Sequence, residues 1–190
     1  MMPELVVLIS GRGSNLKAIA DNIKYGRLNA KVSAVISNKP GAKGLEYAAL
    51  VSAKPHVLDD SEYPSSQEYD LALSKIIDKY TPDLLILAGF MRILTKDFVK
   101  RFNNRILNIH PSLLPKHKGL NTHQRVLAAG DRVHGATVHF VTDELDTGPI
   151  IMQAEVPVLE NDDTATLAAR VLKQEHILYS RAIQKVLLQG

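Results

Sequence analysis

The chain of 190 residues contains no cysteine. Disulfide frameworks, thiolate nucleophiles and Cys-ligated zinc are therefore excluded, and any site must be built from other groups. Charge of one sign is also scarce. The 23 Lys and Arg against 20 Asp and Glu leave a formal net charge of +3, with the basic residues scattered and no long basic run. So small an excess gives no ground for a nucleic-acid partner, yet it suits phosphorylated or carboxylated small substrates, because a cleft concentrates a field that the total hides. No apolar run is long enough to cross a bilayer. The opening Met-Met-Pro-Glu leads straight into a short apolar stretch, without a basic segment or cleavage site. This reads as a soluble, cytoplasmic protein with no membrane partner. The seven histidines show no H-E-x-x-H or comparable ligand spacing, so no metal is expected.

What is present is enough to bury a core: 45% of residues are hydrophobic, and the length suits one domain spanning residues 1–190. Leu5 to Ile9 is a short apolar run of the kind buried on both faces of a parallel sheet. It stops at Ser10-Gly11, and Leu16, Ile19, Ala20 and Ile23 then fall at helical spacing, with Ser14 or Asn15 as the expected N-cap. The alternation continues with a strand at Val32 to Ser37, a helix at Gly44 to Ala53, a short strand at His56 to Leu58 and a helix at Gln67 to Tyr80. Leu84 to Ala88 follows as strand, Thr95 to Phe102 as helix, Arg105 to Ile109 as strand and Gln124 to Ala129 as helix. Such a rhythm predicts an α/β fold, a Rossmann-like, mostly parallel open sheet with helices on both faces. Ala136 to Val141 and Ile150 to Val158 have no helix between them and predict an antiparallel C-terminal addition. Thr164 to Leu188 carries one apolar stripe, including His176 and Ile177, of a long closing helix.

The first chemical candidate is the turn after Leu5 to Ile9. A strand that ends in Gly-x-Gly and feeds a helix makes an anion site, because the first helical amides point at the ligand. Gly13, Ser14 and Asn15 are where a phosphate would sit. A dinucleotide site needs a third glycine, but Leu16 stands there, and no Lys-Ser or Lys-Thr completes a Walker loop. A plain tight turn fits the same residues. The second candidate is Asn108 and His110, two apart and so on one side of a strand end, with Pro111 keeping His110 extended. Side by side they suit a developing oxyanion, although for a lone pair of this kind a structural histidine beside a turn asparagine is the commoner arrangement. The third is the acidic loop Asp143-Glu144-Leu145-Asp146, in which each carboxylate has the same claim on charge alone.

Three runs carry a resemblance: S-G-R-G-S-N-L at Ser10 to Leu16, N-I-H-P-S-L-L-P at Asn108 to Pro115, and D-E-L-D-T-G-P-I at Asp143 to Ile150. The sequence resembles the phosphoribosylglycinamide formyltransferases of purine synthesis, from Val6 to about His176. The resemblance implies transfer of a formyl group from 10-formyltetrahydrofolate to the amine of glycinamide ribonucleotide, without a metal. It implies catalytic roles for Asn108, His110 and Asp146, thereby choosing among the three carboxylates. Asn108 and a protonated His110 would hold the oxyanion, and Asp146 would favour the imidazolium and take the amine proton. Folate is expected against Met91, Arg92, Ile93 and Leu94, partly through their backbone, with Asn108 and the wall Thr142, Asp143, Glu144, Leu145 and Asp146 opposite. Gly13, Ser14 and Asn15 would hold the ribonucleotide phosphate and Glu175 its glycinamide amine.

Two departures stand out. Some family members have an arginine for the folate tail where this chain has Ser66, and His117, Lys118 and Asn121 differ from the common pattern. The isomer of the bond before Pro115 and the oligomeric state, a homodimer included, stay open. Methionyl-tRNA formyltransferases and formyltetrahydrofolate hydrolases share the histidine motif. A chain ending at Gly190 leaves no room for the extra tRNA domain of the first, and a first strand at Leu5 leaves none for the added N-terminal segment of the second. Both stay as the enzyme alternatives, and a non-catalytic phosphosugar- or folate-binding module is the alternative of another class, against which the intact Asn108, His110 and Asp146 argue.

Overall fold

Leu5 to Ile9 are fully buried, and the computed structural model, which describes residues 2–189, shows what covers them. Seven strands form one sheet: β1 (Glu4–Ile9), β2 (Lys31–Ser37), β3 (Lys54–Val57), β4 (Leu84–Leu87), β5 (Ile106–His110), β6 (Val133–Phe140) and β7 (Ile150–Pro157). Their spatial order is β3-β2-β1-β4-β5-β6-β7. The first five run parallel, β6 runs antiparallel to β5, and β7 antiparallel to β6. Five helices cover the sheet: α1 (Ser14–Lys24), α2 (Ser66–Ile77), α3 (Lys96–Arg101), α4 (Thr122–Ala129) and α5 (Thr164–Leu187).

The two-residue period of β1 assigns its side chains to two cores. Leu5, Val7 and Ile9 pack with Leu16 and Ile19 of α1 and with Val171, Tyr179 and Ile183 of α5. Val6 and Leu8 pack with Tyr69, Leu73 and Ile77 of α2 and Phe98 of α3. Each such side chain contributes about 1.5–3 kcal/mol of burial, so the unbroken apolar run follows from having both faces covered.

Several elements depart from the sequence expectation. The segment expected as a helix at Gly44 to Ala53 is a 3-10 helix, Lys43–Val51, with only Gly44 and Ala48 buried, too little apolar surface to support a full α-helix. Gly44 is there for contact: its N–H donates to the Gly11 carbonyl at 2.9 Å, and a Cβ on Gly13 would lie 2.6 Å from its Cα. Gly13 also has φ 68 and is itself the N-cap of α1, without a side-chain cap, so neither Ser14 nor Asn15 caps that helix. A short 3-10 turn at Asp60–Glu62 is additional. In α5 the buried stripe holds Glu175, and Ile177 is exposed, a small rotation from the expected face. The helix starts at a capping box built by Asp163 and Thr166. The Leu114–Pro115 bond is cis.

The antiparallel addition matters most for the site. On β5, Leu107 and Ile109 belong to the core under α1 and α5, which turns Asn108 and His110 to the opposite face. The β5–β6 register sets Asn108 against His139 and His110 against Thr137. Directly opposed residues point to one side of a sheet, so a second imidazole stands beside Asn108.

Candidate active site

Asp146 reaches this edge from the loop between β6 and β7. It has φ 53, a left-handed conformation that aspartate tolerates better than most residues. Of the three acids in the loop only Asp146 is buried. Its Oδ2 lies 3.5 Å from His110 Nδ1 and accepts the Gly119 N–H at 2.9 Å. Two residues on, a Cβ at Gly148 would collide with the Phe140 carbonyl, so the glycine lets the loop fold close against β6.

His110 Nε2 donates to the His117 carbonyl at 3.0 Å, since a carbonyl only accepts. Both ring nitrogens therefore face oxygen atoms, the His117 carbonyl and the Asp146 carboxylate. His139 is the opposite case. Its Nδ1 donates to the Phe140 carbonyl, leaving Nε2 to accept from the Asn108 amide at 3.3 Å. Burial pushes the His139 pKa down, which keeps the ring neutral. Its 3.8 Å approach to Asp146 is accordingly no ion pair. A neutral His139 fixes the Asn108 amide with nitrogen towards the ring and keeps a second N–H free to donate. Nothing in the sequence alone marked His139, because its partner is set by strand register.

A cleft opens over this group, lined by Phe90, Arg92, Ile93 and Leu94 on one side and Val141 to Asp146 on the other, with Asn108 and His139 between. Every residue expected to contact folate lines it except Met91, which is 70% exposed and whose N–H is taken by the Ser10 hydroxyl. His110 is not in the lining either. It lies behind the cleft, covered by the loop that holds His117.

That loop is anchored by histidines. His117 Nε2 lies 2.6 Å from Asp131 Oδ2 and holds that carboxyl below its usual range. His123 Nδ1 and His134 Nε2 are 2.9 Å apart, sharing one N–H. Burial pushes both rings down, His134 to about 4. An unfolded histidine titrates near 6.5, so between these values the unfolded chain binds more protons. The pair's stabilisation is complete above pH 6.5 and is lost as pH falls towards 4. The thermal midpoint is expected to drop between pH 7.5 and pH 5 and His134→Gln to flatten that slope; an unchanged slope in the variant places its source elsewhere.

At the carboxyl end of β1, the first amides of α1, at Ser14, Asn15 and Leu16, have no partner within the helix, and no side chain caps them. The Asn15 side chain turns inward, donating to Glu175 Oε2 at 2.8 Å across 160 positions of sequence. Glu175 is buried, and burial pushes its carboxyl pKa up while the Asn15 bond pulls it down. The structure thus joins Glu175 to the glycine loop, although the two are far apart in sequence. Among the described residues no three His, Cys, Asp or Glu side chains converge as metal ligands would.

Residues 4–183 match the formyl transferase family model. The chain belongs to the formyl transferase family. Among formyl transferases of known function, it is 52% identical over 179 residues to the phosphoribosylglycinamide formyltransferase of Escherichia coli K12, covering 94% of this chain and 84% of that protein. It is 44% identical to the enzyme of the same name from Haemophilus influenzae, over 96% of this chain and 86% of that one. The crystal structure of glycinamide ribonucleotide transformylase 1 from Symbiobacterium toebii superposes with a TM-score of 0.93 at 46% identity, covering 96% of this chain and 86% of that chain. The mostly parallel sheet with its antiparallel end is the architecture shared with that transformylase.

Proposed function

We propose that this formyl transferase is a phosphoribosylglycinamide formyltransferase, moving the formyl group of 10-formyltetrahydrofolate onto the amine of glycinamide ribonucleotide in purine synthesis. The observation that carries the reading is the buried Asp146 set against His110 at the base of a cleft whose two walls are the segments expected to take folate. The glycine loop at α1 then takes the phosphate of the ribonucleotide, and Glu175 its glycinamide end.

The amine attacks the formyl carbon, a C–N bond forms, and the carbonyl π pair moves onto oxygen. Asn108 and the His110 imidazolium donate to that oxygen. Because Asp146 must stay to balance the ring, the acceptor that the formyl oxygen replaces is the His117 carbonyl, so the loop shifts when folate binds. Asp146 accepts the ammonium proton, directly or through a water. The pair on oxygen then re-forms the carbonyl as the bond from the formyl carbon to the folate nitrogen breaks, and that nitrogen leaves with the proton handed on from Asp146, directly or through a water. The whole chain acts as one domain, in the cytoplasm, and sedimentation of the purified protein decides whether it pairs as a homodimer.

The assay is the absorbance change of 10-formyltetrahydrofolate with and without glycinamide ribonucleotide. Consumption that requires the ribonucleotide is expected. Equal consumption without it replaces the reading with a hydrolase.

A further inference from the structure

The strands β3, β2, β1 and β4 lie side by side in that order, and a hydrogen-bonded belt crosses the loops at their carboxyl ends. Asp60, after β3, accepts at Oδ2 from Asn38 Nδ2 at 2.8 Å. Asn38, after β2, accepts at Oδ1 from the Ser10 hydroxyl at 2.5 Å. Ser10, after β1, accepts the Met91 N–H, after β4, at 2.7 Å. Arg92 closes the belt: Nη1 reaches back to Asp60 Oδ2 at 3.1 Å, and the guanidinium lies over the Tyr69 ring at 4.0 Å.

Two of these loops belong to the site. Ser10 opens the glycine loop, and Met91 and Arg92 open the segment whose Arg92, Ile93 and Leu94 wall the cleft. Asp60 lines neither. It holds the cleft wall twice, through the Arg92 side chain and through the Met91 backbone by way of Asn38 and Ser10. Its side chain is only 13% exposed, and Lys39, at 2.7 Å, holds the carboxyl down to about 2, so it is an anion at any working pH. Lys39 is a partner of Asp60 outside the belt.

We propose that Asp60 is a positioning residue that sets the folate wall against the phosphate loop. The kinetic part of this inference rests on the formyl-transfer reading above; the structural part does not. Substrate placement is sensitive to shifts of about 1 Å at a distance from the chemistry, and a wall released at both handles binds its ligand less well.

In Asp60→Ala the KM for 10-formyltetrahydrofolate is expected to rise about tenfold or more, with the KM for ribonucleotide and kcat each within about threefold. A loss of folded protein alone lowers apparent kcat and leaves KM unmoved. Asp60→Glu, which keeps the charge, should recover part of the KM effect and serves if the alanine form does not fold. Lys39→Ala should stay within twofold. Hydrogen exchange at the Met91 amide should quicken about tenfold in Asp60→Ala, and this readout stands even if wild type transfers no formyl group, a result that would sink the formyl-transfer reading instead. A folate KM within twofold of wild type, or a Met91 amide exchanging as in wild type, overturns the proposal.

Discussion

His110→Ala is expected to lower kcat/KM by about 10²–10³, the effect of removing one oxyanion donor worth roughly 2.7–4 kcal/mol. Dissociation constants for both substrates should change little, because the ring lies behind the cleft and not in its lining. The variant should fold. It leaves the His117 carbonyl without its partner, at a cost of about 1–3 kcal/mol for a buried acceptor, and water reaching the vacated site reduces that cost. Asn108→Ala should act in the same direction. The double variant should lose less than the product of the two, since both donors serve one oxygen. Near-normal turnover in His110→Ala would take the histidine out of the chemistry.

Asp146→Asn should cost about 10²–10⁴ in kcat, the range for a general base, and leave the fold intact. The geometry explains the second half of that statement. An asparagine there fills the same buried volume and can keep its oxygen on the Gly119 N–H, now bonded to Oδ2 at 2.9 Å. Only His110 loses: the carboxylate that balances an imidazolium becomes a neutral amide. Asp143→Asn and Glu144→Gln, at exposed positions of the same loop, should stay within a few-fold. If either of those outweighs Asp146→Asn, the burial argument that singles out Asp146 is wrong.

The legible parts of this protein are those whose signal is local. The run Leu5 to Ile9 announces a doubly covered strand by composition alone, and the change of period at Leu16 announces α1. The glycines that follow β1 mark a turn, but only contact explains Gly13, which has to pass against Gly44. Asn108 and His110 were readable as a pair because strand geometry fixes residues two apart on one side. His139 was not, because it meets Asn108 through an antiparallel register across 31 positions. Among Asp143, Glu144 and Asp146 charge could not choose; motif resemblance did, and burial against His110 supplies the physical reason. The spacing predicts a helix at Gly44 to Ala53, and the segment forms the 3-10 helix Lys43–Val51, because apolar spacing does not report how little of a segment is buried. The belt through Asp60, Asn38, Ser10 and Met91 was invisible for a related reason. Its members sit in four separate loops, and only the strand order brings them into line.

The most direct test follows the carbon itself. With 10-formyltetrahydrofolate labelled with carbon-13 in the formyl group, the label is expected to appear in formylglycinamide ribonucleotide, one equivalent per folate consumed, and to stay on folate when the ribonucleotide is omitted. Label appearing as formate at the same rate with or without the ribonucleotide would contradict the account.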